Sequence, residues 1–272
     1  MKIVSSGRVL NSREFYEKKK KRRRIRFILF FILFLSVVYL LVFLLRQERF
    51  LITDVSILGE NIVDKDDMVE IIRQKLDGKY LWFIPRANAL VYPRRAIKQS
   101  LLKEFPRLKS VNLNLDEQYR ILVTIDERAP FALYCPKVGD CFFLDEEGFI
   151  FATAPSFSRG VYFIYLAEDM IENPIGQRFI SDIEFKSLLA FMEKLKDLDI
   201  RPTSLKLGTD DYTLVLPQDG QIVWRKDSNF NFIQSNLEVF LTSDAVRAQS
   251  DFLDRILYID LRTENKVFYK FK

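Results

Sequence analysis

Ile259–Lys272 reads IDLRTENKVFYKFK. Ile259, Leu261, Val267, Tyr269 and Phe271 alternate with polar residues at period two, and Thr263-Glu264-Asn265 stands between the two runs. That pattern predicts a β-hairpin whose second strand closes the sequence. Chain ends usually fray, so an aromatic strand here needs a reason. An outer strand exposes a row of unpaired N–H and C=O groups, which invites another strand unless it is guarded. Lys266, Lys270 and Lys272 are one reading of such a guard. The other is strand addition by a partner, with alternate side chains as contacts. Phe268 shares the lysine face, so the sequence marks Lys266, Val267, Phe268, Tyr269 and Lys270 as the candidate docking strand, centred on Phe268.

Working outward, the preceding stretch is strand-rich. Phe131–Tyr134, Phe142–Leu144, Phe149–Ala152, Leu205–Leu207, Tyr212–Leu216 and Ile222–Trp224 are short apolar or alternating runs. Asp145-Glu146-Glu147-Gly148 and Asp219-Gly220 supply turns. Ser181-x-x-Glu184 predicts a capping box opening a helix to about Leu198, with Phe185, Leu188, Leu189, Met192 and Leu195 inward. Phe230–Leu241 predicts another helix. Together these runs predict one mixed sheet with helices against it.

Further upstream, Leu51, Thr53, Val55 and Ile57 alternate until Gly59-Glu60-Asn61 breaks the strand. Asp64 is placed to cap a helix bearing Val69, Ile72 and Leu76, stopped by Gly78. A loop containing Pro85 leads to a second helix from Tyr92 to Glu104, with Ile97, Leu101 and Leu102 inward, ended by Pro106. Strands follow at Lys109–Leu115 and Tyr119–Asp126. The expected order is β-α-α-β-β, with two helices on one face of a three-stranded sheet.

Phe27–Leu45 is FILFFILFLSVVYLLVFLL, 19 residues without a charge, of which 17 are Phe, Ile, Leu or Val. At 1.5 Å per residue it spans about 28 Å, close to a hydrocarbon core of about 30 Å. On the insertion scale its apolar residues sum to about −5 to −10 kcal/mol at most. No polar face exists for a surface helix, and LLRQERFL follows where a signal-peptide cleavage site would need small residues. Lys18, Lys19, Lys20, Lys21, Arg22, Arg23, Arg24 and Arg26 precede the span, whereas only Arg46 and Arg49 follow closely. Such a basic flank stays in the cytoplasm, so the expected topology is head inside and residues 46–272 outside. Residues 1–17 read as polar and flexible.

The net charge is +5, yet residues 1–26 hold 11 of the 42 Lys and Arg against two acids, leaving 31 bases and 35 acids beyond. The body is therefore slightly acidic and offers no nucleic-acid surface. The absence of histidine removes the commonest general base and metal ligand. Two cysteines cannot complete a structural zinc site. No phosphate loop or nucleophile motif is present. Asp145, Glu146 and Glu147 read as solvated turn acids, and Asp126-Glu127-Arg128 as a structural ion pair. Cys135 and Cys141, with five residues between them that include Pro136 and Gly139, are read as either a hairpin disulfide in an oxidising compartment or two free or partly buried thiols. No cofactor or metal is expected.

Five passages resemble one family, in order. ITDVSILGENIVDKDDMVEII (52–72) is similar to an opening strand, turn and helix, with Glu60 inserted between Gly59 and Asn61. LLKEFPRLKSVNL (101–113) resembles a helix-Pro-strand passage, VTIDERAPFAL (123–133) an inter-domain junction, FFLDEEGFIF (142–151) the hairpin beyond it, and LYIDLRTENKVFYKF (257–271) the closing strands. Over roughly residues 20–272 the chain resembles the FtsQ/DivIB family of bacterial cell-division proteins. The resemblance implies an α+β protein: a basic cytoplasmic tail (1–26), a transmembrane helix (27–45), a POTRA-like β-α-α-β-β domain (50–127) and a mixed α+β domain with a larger β-sheet (128–272). It implies a non-enzymatic scaffold in the plasma membrane at the septum, with the small coiled-coil proteins FtsB and FtsL as partners and FtsB docking on the last strand. The competing readings are another POTRA-bearing secretion or assembly protein, and a membrane-anchored cell-wall hydrolase.

Overall fold

The computed structural model describes residues 12–136, 139–156, 161–168, 171–247, 252–264 and 266–272. Residues 1–11 of the expected flexible head, Lys137 and Val138 between the cysteines, and Asn265 of the terminal turn lie outside them. The chain divides into two compact units. One holds the chain to Leu58 with Lys65–Lys98 and Leu113–Val123, and the other holds Gly59–Asp64, Gln99–Asn112 and Thr124–Lys272.

Helix α1 runs over Ser12–Leu45. It is long and apolar enough to span a membrane, and none of its most apolar window is buried inside the protein. Residues 12–17, read as flexible, are helical. Glu, Lys and Arg are good helix formers, so the apolar helix propagates backward through the basic run.

Strand β1 (Val55–Leu58) ends at Gly59, whose φ of +93° favours glycine. Helix α2 (Lys65–Leu76) buries Met68, Ile72 and Leu76. Ile72 and Leu76 face inward as the sequence predicts, while Val69 is only half-buried and Met68 takes the third inner position. Strands β2 (Lys79–Tyr80) and β3 (Ile84–Pro85) form a small hairpin where only a loop was expected. Two-residue strands are too short to show alternation. Helix α3 (Arg94–Glu104) buries Ile97 and Leu101, while Leu102 is half-buried. Strands β4 (Leu108–Leu115) and β5 (Ile121–Glu127) follow, and the sheet order is β1-β5-β4. The element order is thus β-α-β-β-α-β-β.

The larger sheet has nine strands. In chain order these are β6 (Ala132–Pro136), β7 (Phe142–Leu144), β8 (Ile150–Thr153), β9 (Phe163–Ala167), β10 (Ser204–Leu207), β11 (Asp211–Val215), β12 (Gln221–Arg225), β13 (Ile256–Thr263) and β14 (Lys266–Phe271). Their spatial order is β14-β13-β12-β11-β10-β9-β6-β7-β8. Pairs β6–β9, β9–β10 and β12–β13 are parallel. Parallel neighbours need long crossovers. Helix α4 (Asp182–Asp197) lies between β9 and β10 in sequence, and α5 (Phe230–Thr242), α6 (Asp244–Arg247) and α7 (Phe252–Arg255) lie between β12 and β13. Strand β9 was not read from the sequence. Its FIYLA run is apolar throughout, as interior parallel strands often are, and lacks alternation.

One continuous core joins the sheet and helices, including Trp224, Tyr134, Tyr165, Tyr212, Phe185 and Phe191. Phe191 and Trp224 pack edge-to-face at 5.4 Å. Burying each such side chain contributes about 1.5–3 kcal/mol. In α4, Phe191 takes the inner position that the sequence assigned to Leu189 and Met192, both half-buried. The expected capping box is half made. Ser181 Oγ accepts the Glu184 N–H at 3.3 Å, but the Glu184 carboxylate accepts the Tyr212 hydroxyl instead of reaching back. Burial, and then that bond, push the Tyr212 phenol up, so it stays a donor.

A candidate partner-binding edge

The nine-stranded sheet has two ends, and they differ. At the β8 end, Ile150 donates to the Gln177 carbonyl at 2.9 Å and accepts from Gly176 at 2.8 Å, and Phe149 bridges to Arg178. Chain from the same unit therefore covers part of that edge. At the other end, β14 has β13 as its one strand neighbour among the described residues. It is six residues long, against four for β8.

Strand β14 is held firmly from its inner side. Ile259 pairs with Tyr269, Asp260 with Phe268 and Ile256 with Phe271. Val267 and Phe271 pack on the main core. The Tyr269 ring lies 4.9 Å from Phe240 of α5 and 5.6 Å from Phe271. The final residue does not fray: Lys272 N–H donates to the Arg255 carbonyl at 2.9 Å, and its ammonium bonds the carbonyls of Gln218 and Asp254. Lys272 thus anchors the strand rather than standing as a free guard charge.

Lys266, Phe268, Tyr269 and Lys270 are exposed, and Val267 is half-buried. Phe268 keeps 52% of its surface open. Its cross-strand neighbour Asp260 is bound by Arg262 at 2.6 Å, and Arg262 also reaches Asp211 at 3.0 Å. The bond from Arg262 holds the Asp260 carboxyl below its ordinary range, while Asp260 and then Asp211 hold the guanidinium charged. An exposed aromatic on the open strand therefore sits beside a fixed ion cluster carried by β13 and β11. The sequence reading missed this cluster. The Asp260-x-Arg262 spacing carried the signal, because residues two apart share a strand face.

The remaining singled-out residues fall elsewhere. Cys135 and Cys141 are joined as a disulfide and are nearly fully buried. Lys18–Arg24 and Arg26 lie exposed along α1. Asp145 is not a solvated turn acid. It is 2% exposed, its Oδ1 accepts the N–H groups of Glu147 and Phe149 at 2.9 Å each, and its Oδ2 accepts from Arg128. Glu146 stays outside, bonded to Lys109 at 2.6 Å. Nor do Asp126, Glu127 and Arg128 pair among themselves. Glu127 Oε1 accepts the N–H groups of Asn61, Ile62 and Val63 at 2.8, 3.0 and 3.2 Å.

Burial pushes the Glu127 carboxyl up, but those three donors and Arg107 outweigh it and leave its pKa below the ordinary value. A carboxylate with a lowered folded pKa stabilises the protein above its unfolded pKa, and that contribution is lost as pH falls through the folded value. Glu127→Ala, which removes a charged acceptor from three N–H groups that are largely open to water, is expected to cost about 1 kcal/mol near neutral pH. The cost should shrink as pH drops below the ordinary glutamate range; urea unfolding of both proteins across pH 7 to 3 is the check.

Among the described residues, no group of three or more Cys, Asp and Glu side chains is placed to hold a metal ion. The chain matches no protein-family model, and a search of curated proteins finds no significant match.

Proposed function

We propose that the protein is a non-enzymatic, single-pass membrane scaffold of the bacterial division machinery, of the FtsQ/DivIB kind. In this reading α1 crosses the plasma membrane with its basic end in the cytoplasm. Residues 50–127 form a POTRA-like domain, and it works at the septum together with the domain over residues 128–272. The observation that carries the reading is the contrast between the two ends of the large sheet: one partly covered, the other an anchored open strand with Phe268 at its centre. An FtsB-like segment adds to β14 as a further strand, and an FtsL-like coiled-coil protein comes with it. Strand addition supplies about 1 kcal/mol net per backbone hydrogen bond. Tethering in one membrane raises effective concentration, so a contact of modest intrinsic strength suffices and stays reversible.

The test is the affinity of the detergent-purified full chain for an FtsB–FtsL pair. Phe268→Ala is expected to weaken binding by about 2 kcal/mol, or roughly 30-fold, as for a central aromatic contact. Stability should barely change, because the ring is half open to solvent. Unchanged affinity in a normally folded Phe268→Ala protein removes β14 as the docking strand. Release of fragments from peptidoglycan by the purified chain would replace the scaffold with an enzyme.

A further inference from the structure

Leu81, Trp82 and Phe83 form the tip of the β2–β3 hairpin. They are 76%, 93% and 42% exposed. The chain has two tryptophans, and the other, Trp224, is fully buried. Leu81 and Trp82 both take positive φ, at 46° and 72°. Bulky residues rarely adopt that conformation, and Gly or Asn would hold such a turn more easily. The turn therefore carries backbone strain at residues whose side chains are mostly exposed.

The place of this tip in the unit matters more than its exposure. Strand β3 lies against α1. Just beyond it the fully buried Asn88 donates from Nδ2 to the carbonyl of Leu45, the last residue of α1, at 2.8 Å. Asn88 also bridges to Leu51, Ile52 N–H donates to the Ala87 carbonyl and Ala89 N–H to the Phe50 carbonyl. The segment after the hairpin is thus fastened to the point where the apolar helix ends. Leu90 and Val91, on that segment, are also exposed. Arg46 and Arg49 follow the helix, and Lys79 and Arg86 flank the hairpin, with Arg86 5.5 Å over the Tyr80 ring. Aromatic rings beside cations at the end of a membrane span suit the headgroup level, where a ring's apolar body and polar edge are both satisfied.

We infer that the Leu81-Trp82-Phe83 tip inserts into the outer lipid interface beside α1, as a second membrane contact that fixes the first unit on the bilayer. The occupant of this exposed apolar patch is phospholipid, not a protein, because the patch is fastened to the residue where α1 leaves the hydrocarbon. The inference rests on α1 crossing the membrane and not on the division role. Insertion about 5–10 Å below the headgroups is the depth of interfacial aromatic segments.

Tryptophan quenching tests it on the full chain in phosphatidylethanolamine–phosphatidylglycerol vesicles. The emission of the chain minus that of its Trp82→Phe variant isolates Trp82, since Trp224 remains in both. Bromines near the headgroup end of the acyl chains should remove most of that difference, bromines near the chain end less, and aqueous iodide little. No effect of either bromine on that difference overturns the inference: strong iodide quenching then places the tip in water, and weak iodide quenching places it against protein. A Phe34→Trp reporter in the Trp82→Phe background checks the span. If deep bromines quench that reporter while Trp82 stays unquenched, the span stands and the hairpin inference fails. If neither is quenched, the membrane reading fails and takes the inference with it.

Discussion

Arg128→Ala is expected to cost about 3–5 kcal/mol of stability, the usual effect of removing one member of a buried ion pair. The side chains of Arg128 and Asp145 are 12% and 3% exposed, and the Arg128 Cζ sits 4.1 Å over the Phe149 ring. Arg128 Nε is buried without a hydrogen-bond partner, so the cation depends on Asp145 and the ring. Removing the guanidinium strands a carboxylate that cannot move, because its other oxygen holds the turn through Glu147 and Phe149. Asp145→Ala should cost a similar amount by losing the turn as well as the pair. The double variant should lose less than the two singles combined, since each already breaks the same contact. Urea unfolding followed by the emission of buried Trp224 is the measurement. Additive losses would mean that the two side chains do not act together.

Gly59→Ala is the second large effect, for a different reason. Gly59 has a φ of +93°, and a Cβ there would stand 2.3 Å from the Ile125 carbonyl oxygen. That oxygen belongs to the backbone of β5 and has no rotamer by which to retreat. Left-handed strain adds roughly 1 kcal/mol or more, and overpacking against a fixed neighbour about 1–3 kcal/mol. The total is expected near 3 kcal/mol. Gly176→Ala is the control. It shares the positive φ, 91°, but its Cβ would meet nothing within 4 Å. It should therefore lose only the strain. Equal losses at the two sites would show that the close approach to Ile125 has no energetic weight.

These two sites show what a sequence can disclose. Gly59 was legible as a break, because glycine after an alternating run signals a stop. The carbonyl that demands it was not, since Ile125 lies 66 residues on. Gly148 and its turn were legible from Asp145-Glu146-Glu147-Gly148, but the burial of Asp145 was not. Three adjacent acids look solvated until Arg128 arrives from the preceding segment. Strands β11 to β14 and the caps of α4 carry local signals, namely alternation, turn glycines and a serine cap. Strand β9 and the β2–β3 hairpin carry none, one being apolar throughout and the other too short. The candidate edge was half legible. Alternation from Ile259 to Phe271 marked the hairpin and put Phe268 among lysines. Only the sheet order and the cover over β8 separate an open edge from a protected one.

In the proposed scaffold, β14 receives a partner strand. The most direct test is a photoreactive residue in place of Phe268 in living cells, with the same residue at Asp219 in another turn of that unit as control. A covalent adduct to a small coiled-coil membrane protein, formed from position 268 and not from 219, is the predicted result. No adduct from 268, in cells where the protein still gathers at midcell, would contradict the account and move the docking surface away from β14.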